Sequence, residues 1–471
     1  MRETKIICTI GPKTASFDML QRLAASGMNI ARLNMSHGSP DWHMAVIRNI
    51  KRLNKKNGTS IAILLDTKGP EVRTGDVKTD IVLARGDNLT LTVRRQAELE
   101  PYCVEVSYDG FVNEVEKNDI VLIDGGMLSF RVREIRGKDV LCECLEDGVL
   151  TSRRHINIRG KSADLPSITE KDWQDIDFAI ENSVDFIALS FVRGPESIAD
   201  VQQYLQDRKS PIDIIAKIES AEAVPQLNNI IGVADGVMIA RGDLGSELPC
   251  EEVPLLQDAI IKKCRAASKP VIVATHMLES MIINPTPTRA EVTDITYAVQ
   301  QGTDAIMLSG ETATGKYPFK ALEIMDAVAC RIERHMGQDT TVRVSITSNP
   351  KEEIARSAAI LNNNLKAVGT IVITRRGIMA ALLSRCRPVA PIFAFTNTTH
   401  VRRRLGIYWG VHAFRLKFSK DPETTIQRAV EQLLRKNIIH PGDRIIVLSD
   451  ILAGGEFVET VQVRTIPKTT G

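Results

Sequence analysis

Polar side chains at the ends of short apolar runs are the residues of this chain most suited to chemistry. Lys217 and Glu219 are two positions apart in AKIES, so on a strand both side chains leave the same face. Asp243 follows the next such run, and its carboxylate with that of Glu219 suits a hard cation such as Mg2+. Arg32, Arg73 and Lys217 supply the positive charge that a transferring phosphoryl group requires. These residues predict a metal-assisted reaction on a small phosphorylated acid.

The elements that must position these side chains are apolar runs too brief for helices. Runs rich in Ile, Val and Leu, without alternation, are typical of strands buried on both faces of a parallel sheet. Amphipathic stretches such as 16–27 and 252–268 lie between most of them, at the period of βα units. The eight runs are 4–10, 29–35, 61–67, 185–191, 213–219, 236–242, 270–276 and 305–311. Eight such units predict an α/β fold, a (β/α)8 barrel.

The carboxyl ends of barrel strands and the loops that follow them carry the chemistry of such folds. A lone charge within a buried strand is costly, so the polar strand ends call for an explanation. Any one of these residues could belong to an ion pair that stabilises the rim of the barrel. The whole set together favours an active site. Its members are Arg32, Asn34, Ser36, Asp66, Thr67, Ser190, Lys217, Glu219, Arg241, Asp243, Thr275, His276 and Glu311.

Two further domains are predicted from changes in pattern. The long gap between the third and fourth runs alternates apolar and polar residues with Gly and Asp turns, which predicts an all-β insert acting as a lid over the barrel. The polar stretch 336–350 is a predicted connection to a second βα series. The predicted domains are the barrel (1–70 and 166–335), the lid (71–165) and a C-terminal α/β domain (350–471).

Composition excludes several classes of protein. The 471 residues include 60 basic and 58 acidic ones, which leaves no field suited to nucleic acid. No apolar run approaches the ~20 residues of a membrane helix. The eight cysteines form no CxxC pair and are predicted to be reduced thiols. The first residues lack an export signal, and we therefore expect a cytoplasmic protein.

Several segments, taken together and in order, resemble the pyruvate kinases. They are TKIICTIGPKT, GMNIARLNMSHG, LLDTKGPEVRT, DFIALSFVR, IIAKIES, GVMIARGDLGSELP, NPTPTRAEVTDI and DAIMLSGETATGKYP. The order of barrel, inserted lid, barrel and C-terminal α/β domain is also that of the family. The resemblance implies transfer of the phosphoryl group of phosphoenolpyruvate to ADP, giving pyruvate and ATP in glycolysis. It also implies Mg2+ (or Mn2+) and K+ as cofactors, and a homotetramer.

The resemblance also implies roles for individual residues. The implied catalytic residues are Lys217, Arg32, Arg73, Thr275, Glu311 and Ser190. The implied substrate contacts are Arg32, Lys217, Thr275 and the backbone from Ala240 through Gly242 to Asp243. Glu219 and Asp243 would hold Mg2+, while Asn34, Ser36, Asp66 and Thr67 would hold K+, with Glu71 as the variant associated with K+ dependence. The candidates on the nucleotide side are Asn34, His37, Arg73 and Arg154.

Three departures from the family pattern qualify these roles. His276 stands where the family usually has Gln, so the proton-delivery network and its pH response are expected to differ. The lid return at 156–166 has Ile158 and Arg159 in place of the usual Leu and Pro. In the C-terminal domain, Thr374, Arg375, Arg376 and Gly377 replace a hydroxyl-rich phosphate loop. These residues bind a phosphorylated allosteric effector, or the arginines form a solvated or intersubunit face.

Two other functions remain open at this stage. A Mg2+-dependent lyase or aldolase would act on an enolate without nucleotide, and formation of ATP from ADP discriminates against it. A catalytically silent, metabolite-binding paralogue is disfavoured because Lys217, Glu219, Asp243 and Thr275 are all present. In such a paralogue Lys217→Ala would change nothing, whereas in the enzyme it abolishes turnover.

Overall fold

The structure is a computed structural model that describes residues 2–96, 99–160, 165–336, 349–453 and 456–467. Most of the predicted connection 336–350 and residues 161–164 of the lid return lie outside the described residues. None of the helices in the described ranges is both long and apolar enough to cross a membrane. All eight cysteines are free thiols, as predicted.

The first part of the barrel has the predicted alternation of strands and helices. Its elements are β1 (Lys5–Thr9), α1 (Phe17–Ala25), β2 (Ile30–Asn34), α2 (Pro40–Asn57) and β3 (Ala62–Asp66). The start of α2 is set locally, because the side chain of Ser39 accepts a hydrogen bond from the backbone N–H of Trp42 and Pro40 takes the first helical position. The helix ends at Asn57 and is capped by Gly58, whose φ of 67° is the left-handed conformation that glycine adopts without strain.

The inserted lid follows β3 and has a hydrophobic core of its own. Its elements are β4 (Ile81–Leu83), β5 (Asn88–Thr92), β6 (Cys103–Glu105), α3 (Phe111–Glu114), β7 (Ile120–Ile123), β8 (Leu128–Arg136), β9 (Asp139–Cys144), β10 (Gly148–Leu150) and β11 (Ile156–Ile158). Six strands form a sheet in the order β11-β7-β8-β9-β5-β6, and β10 pairs with β4. The short helix α3 departs from the all-β prediction, and it buries Phe111 in the lid core.

The chain then returns to complete the barrel. These elements are α4 (Glu170–Glu181), β12 (Phe186–Leu189), α5 (Pro195–Asp207), β13 (Asp213–Ile218), α6 (Leu227–Val233), β14 (Gly236–Ala240), α7 (Arg241–Glu247), α8 (Glu252–Ala266), β15 (Val271–Ala274), α9 (Arg289–Gln300), β16 (Ala305–Leu308), α10 (Gly310–Ala313) and α11 (Pro318–Met336). The closed parallel barrel has the order β1-β16-β15-β14-β13-β12-β3-β2, which confirms the predicted fold class.

A five-stranded α/β unit forms the C-terminal part. Its elements are α12 (Pro350–Asn364), β17 (Thr370–Ile373), α13 (Ile378–Arg385), β18 (Ile392–Thr396), α14 (Thr399–Arg404), β19 (Val411–Arg415), α15 (Pro422–Arg435), β20 (Arg444–Ala453) and β21 (Glu456–Thr465). The sheet order is β19-β18-β17-β20-β21, with β21 antiparallel at the edge.

The C-terminal unit contacts the barrel at the amino ends of the barrel strands. Arg403 donates from Nε to both carboxylate oxygens of Asp185, at 2.8 and 3.0 Å, just before β12. Arg404 pairs with Asp213, the first residue of β13. Ile407 is buried within the apolar cluster that fills the barrel interior. These contacts fix the ends of β12 and β13 opposite to the polar strand ends predicted to carry the chemistry.

Candidate active site

Lys217 lies at the centre of a buried polar cluster at the carboxyl end of the barrel. Its ammonium Nζ is 2.8 Å from Oε1 of Glu219 and 3.0 Å from Oδ1 of Asp66, and it donates to Oγ of Ser190 at 2.7 Å. Burial alone would lower the pKa of Lys217, but the carboxylates of Asp66 and Glu219 outweigh it and raise that pKa. The lysine is therefore held as a cation and is not a base at neutral pH.

A second buried cation, Arg32, shares Asp66 with the lysine. Its Nε is 2.6 Å from Oδ2 of Asp66, and its Nη1 donates to Oγ1 of Thr9 at 2.9 Å. Burial would raise the pKa of Asp66, but Arg32 and Lys217 lower it, so this carboxyl is ionised. Thr9 was missing from the predicted set, although it ends β1. The strand-end criterion, which selects polar residues at the carboxyl ends of the apolar runs, would have found it.

Glu219 and Asp243 meet next to these cations, as the sequence predicted for a metal site. Burial and the charge of Asp243 raise the pKa of Glu219, while burial and the charges of Glu71 and Asp66 raise the pKa of Asp243. Lys217 opposes both shifts, and a side-chain hydrogen bond with Glu219 also lowers the pKa of Asp243. Oε2 of Glu219 also accepts a hydrogen bond from the backbone N–H of Phe191 at 2.6 Å. The cluster holds three carboxyls against two basic groups. Another cation would relieve the repulsion between Glu219 and Asp243.

The carboxyls of Glu219 and Asp243 suit Mg2+, which needs few protein ligands, better than they suit a metal that protein side chains alone must coordinate. Within the described residues there is no group of three or more His, Cys, Asp or Glu side chains arranged to hold a metal. Mg2+ is commonly bound by one or two carboxylates, with substrate oxygens and water completing its octahedron. Two adjacent carboxyls with raised pKa values are therefore a suitable partial site, and the substrate would supply further ligands.

The oxygen-bearing residues predicted for K+ lie at the ends of the neighbouring strands β2 and β3. Asn34 is the register partner of Asp66, and its Oδ1 accepts from the backbone N–H of Ser36 at 3.1 Å. Thr67 is buried, and both its hydroxyl and its carbonyl are bonded to Ser190, at 3.2 and 2.7 Å. The structure thus brings the oxygen atoms predicted to bind K+ to one side of the Lys217 cluster.

Thr275 is held in an unusual conformation beside the start of α7. Its φ of 69° is rare for a β-branched residue. Its Oγ1 accepts from the backbone N–H of Gly242 at 2.8 Å and donates to the carbonyl of Ala274 at 2.6 Å. Arg241 donates from Nη2 to the carbonyl of Thr275 at 2.6 Å.

The anchor of this loop was not predicted. Asp294, on α9, forms a two-point ion pair with the Arg241 guanidinium, at 2.6 and 2.7 Å. The prediction placed Arg241 among the polar strand ends but gave it no partner. No sequence pattern links it to a carboxylate 53 positions further along.

Glu311 contacts the loop that follows β15, and His276 is a member of that loop. The buried carboxyl of Glu311 accepts backbone N–H groups from Leu278 at 3.1 Å and Ser309 at 2.7 Å, and burial raises its pKa. Glu311 therefore joins the loops that follow β15 and β16. His276 has a more than half-exposed side chain, with Nε2 at 3.5 Å from Oε2 of Glu279.

Within the described residues, no side-chain hydrogen bond or ion pair joins the predicted nucleotide-side residues His37, Arg73 and Arg154 to the lysine cluster. Nε of Arg73 is 2.6 Å from Oε2 of Glu71, and its Nη1 donates to the carbonyl of Arg153 at 2.9 Å. Arg154 pairs with Asp124 of the lid at 3.2 Å. His37 is exposed in the middle of the loop between β2 and α2. These side chains lie around the lid stem and the barrel mouth, and the lid arginines are paired within the lid or its stem.

Three of the four predicted effector residues, Thr374, Arg375 and Arg376, line a cleft of the C-terminal unit with a volume of about 1010 Å3. The buried Thr374 accepts from the backbone N–H of Gly377 at 3.0 Å, and Gly377, with φ of 88°, precedes α13. Arg375 and Arg376 are exposed. Further basic residues line the same cleft, namely Lys351, Arg415, Lys417 and Lys420. The cleft is therefore strongly cationic and suits an anion.

Comparisons with known proteins cover almost the whole chain. The family model described as "Pyruvate kinase, barrel domain" matches residues 1–322, and "Pyruvate kinase, alpha/beta domain" matches residues 352–463. Plastidial pyruvate kinase 2 of Arabidopsis thaliana is 49% identical over 451 residues, 95% of this chain and 78% of the relative. The chloroplastic pyruvate kinase isozyme G of Nicotiana tabacum is 49% identical over 448 residues, 94% and 79% of the two chains. The crystal structure of a pyruvate kinase from Cryptosporidium parvum has a TM-score of 0.92 and 36% identity, and the match covers 99% of this chain and 96% of that one.

The predicted cytoplasmic location is wrong. Both plant relatives carry names that place them in plastids. The prediction rested on the lack of an export signal, but an organelle address is read by a receptor from a targeting segment that is separate from the folded domains. The residues that build the barrel and its site therefore carried no information about location.

Proposed function

The chain belongs to the pyruvate kinase family and is a phosphotransferase, and from that premise we propose how its barrel site moves the phosphoryl group of phosphoenolpyruvate onto ADP. The observation that carries the proposal is the buried ammonium of Lys217, held by Asp66, Glu219 and Ser190 at the carboxyl end of the barrel. A cation fixed there is placed to stabilise negative charge on a phosphoryl group in transfer.

In the proposed reaction, the bond between phosphorus and the enol oxygen breaks while phosphorus bonds to a terminal oxygen of the β-phosphate of ADP. Lys217 and Arg32 face the transferring group, and Arg73 approaches from the lid stem. Because ion pairs already fix the positions of Lys217 and Arg32, these groups need not reorganise during the reaction. The products of this step are ATP and the enolate of pyruvate.

The enolate then takes one proton at its methylene carbon, which gives pyruvate. Thr275 is the proposed residue on this side, acting through water, with its hydroxyl oriented by Gly242 and Ala274. Glu311 positions the loop, since its carboxyl holds the backbone at Leu278 and Ser309. The backbone at the start of α7, from Ala240 to Asp243, is the proposed contact for the substrate carboxylate.

Mg2+ or Mn2+ is proposed at Glu219 and Asp243, and K+ at Asn34, Ser36, Asp66 and Thr67. When bound, these ions would neutralise phosphate charge and bridge it to the protein. Glu71 is held by Arg73 at the lid stem. Asn34, His37, Arg73 and Arg154 are the proposed contacts for ADP, between barrel and lid.

The rest of the chain is proposed to serve assembly and control. We propose the division into barrel (1–70 and 166–335), lid (71–165) and C-terminal domain (350–471). The cationic cleft lined by Thr374, Arg375 and Arg376, with Gly377 bonded to Thr374 beside it, is the proposed site of a phosphorylated effector. A homotetramer is supported by exposed apolar side chains on α8, α9 and the edge strand β21, namely Leu255, Tyr297, Val458 and Val463.

The test is formation of pyruvate and ATP from phosphoenolpyruvate and ADP by the purified full chain. The assay contains Mg2+ or Mn2+, with K+ or with tetramethylammonium as the monovalent cation. We expect turnover that falls when K+ is withdrawn. Turnover indifferent to K+ would contradict the assignment of Asn34, Ser36, Asp66 and Thr67, and no turnover with any ion or phosphorylated effector would overturn the proposed function.

A further inference from the structure

Glu247, the last residue of α7, lies one helical turn after Asp243. Residues four apart on a helix share a face, so the two carboxyls project to the same side. Glu219 is on a different segment, directly after β13. The two proposed metal ligands therefore belong to elements that meet only in the folded protein, and their separation depends on what joins those elements.

A hydrogen bond beside the metal ligands joins the turn after Glu219 to the end of α7. Oε2 of Glu247 accepts from the backbone N–H of Ala221 at 2.7 Å. Ala221 begins a short 3-10 turn, Ala221–Ala223, two residues after Glu219. The intervening Ser220 has a buried hydroxyl for which the described residues provide no hydrogen-bond partner, so its side chain does not anchor the turn.

The surroundings of Glu247 make a carboxyl costly at this position. It lines a cavity of about 60 Å3 between the lid stem and the barrel, whose apolar lining includes Val72, Phe111 and Phe191 and whose polar lining includes His155 and Arg193. Burial, and the negative charges of Glu222, Asp243 and Glu219, raise the pKa of Glu247 to about 7. Packing alone would be served as well by an apolar side chain. The contact with Ala221 is the described feature that requires an acceptor oxygen.

We propose that Glu247 is a positioning residue that sets the separation of Glu219 and Asp243 and thereby the affinity of the site for a divalent cation. The inference rests on the proposed function, which places the cation at those two carboxyls. Outer partners of metal ligands typically change metal affinity or activity by roughly 10–100-fold when they are removed.

The test measures binding of Mn2+ to the full chain without substrates, by electron paramagnetic resonance of the free ion. Glu247→Ala removes the acceptor, and we expect affinity for Mn2+ to fall about 10–100-fold. Glu247→Gln keeps an acceptor oxygen, and we expect it to restore binding to within about threefold of the parent, since it retains the hydrogen bond. A role in packing alone would not separate these two variants.

Ala221→Pro removes the donor from the other side of the same hydrogen bond. Proline is tolerated at the first position of a helical turn, and the φ of −122° and ψ of 153° of Ser220 suit a residue that precedes proline. We expect the same loss of Mn2+ affinity as in Glu247→Ala. The double variant is expected to lose no more than either single one, because both remove one interaction.

Glu252→Gln is the matched control, because Glu252 is an exposed carboxylate at the start of α8, the helix that follows α7. It is expected to bind Mn2+ like the parent chain. In the parent, the Ala221 amide should exchange slowly with solvent deuterium whether Mn2+ is present or not. Fast exchange there, or parental Mn2+ affinity in a natively folded Glu247→Ala or Ala221→Pro chain, would overturn the positioning role. Failure of the parent itself to bind Mn2+ would instead contradict the proposed metal site.

Discussion

The ammonium of Lys217, on β13, reaches past β12 to within 3.0 Å of Oδ1 of Asp66, on β3. The two strands are not neighbours, since β12 lies between them in the barrel. The same carboxylate holds Arg32 at 2.6 Å through its other oxygen. One buried aspartate thus sets the positions of both cations proposed to face the phosphoryl group.

Replacement of Lys217 should remove turnover and also weaken the fold. Lys217→Ala leaves Asp66 and Glu219 without their shared cation, and breaking a buried pair of this kind costs about 3–5 kcal/mol. We expect kcat to fall by roughly 1,000-fold or more, since a fixed charge on the transferring group is lost. Steady-state kinetics and thermal unfolding measure the two effects. Lys262→Ala, at an exposed pair with Asp258, is the control, and a loss of less than about tenfold in Lys217→Ala would contradict the assigned role.

Loosening the Arg241 anchor should affect proton transfer more than phosphoryl transfer. Asp294→Asn weakens the ion pair that holds Arg241 against the carbonyl of Thr275. A misplaced loop of this kind can cost about 100-fold. The readout is exchange of the methyl protons of pyruvate with deuterium, followed by nuclear magnetic resonance. Asp258→Asn is the matched surface control, and equal exchange rates in the two variants would refute the anchor.

Lys5 should make the protein less stable at neutral pH than it would be with an apolar residue there. Burial, opposed by Glu3 and reinforced by Arg2, lowers the pKa of Lys5 from 10.5 to about 8. Below pH 8 both the folded and the unfolded chain carry the charge, so the full cost is present. Between pH 8 and 10.5 the folded state has released the proton that the unfolded state retains, so stability rises with pH.

Lys5→Met tests this pH dependence. We expect the variant to be more stable at pH 7, by up to about 3 kcal/mol. Its advantage should shrink steadily toward pH 10. Thermal unfolding of both chains at a fixed scan rate across this range gives the comparison, and a difference that is constant with pH would show that Lys5 does not titrate as described.

The arginines of the C-terminal cleft should carry anion binding. Removal of both in Arg375→Ala with Arg376→Ala deletes charge-assisted donors, and we expect the affinity for a sugar phosphate to fall at least about tenfold. Calorimetry with glucose 6-phosphate and, separately, with inorganic phosphate measures it. Arg435→Ala, at the exposed end of α15, is the control. Unchanged affinity in the double variant would support the alternative of a solvated or intersubunit face.

The strand-end criterion identified much of the cluster because it depends on local pattern. Lys217 and Glu219 were placed together by their spacing, and Asp66 and Ser190 by their positions after apolar runs. The same criterion, applied to β1, would also have found Thr9. It could not find Glu247 or Asp294, because both belong to helices and contact the site only through residues far away in sequence. Arg73 was expected to face the phosphoryl group, but its side chain direction is set by Glu71 and the lid backbone.

The sequence by itself determined the eight βα units, the inserted lid, the C-terminal sheet and the family. Each depends on hydrophobic period or on short contiguous motifs, which the chain displays locally. Only the tertiary structure decided that Asp66 joins Lys217 to Arg32, that Arg241 is anchored by Asp294, and that Glu247 ties the turn after Glu219 to α7. The reason is physical: the energy of a buried ion pair or hydrogen bond depends on distances of a few tenths of an ångström between distant segments. Those distances exist only once the barrel has closed.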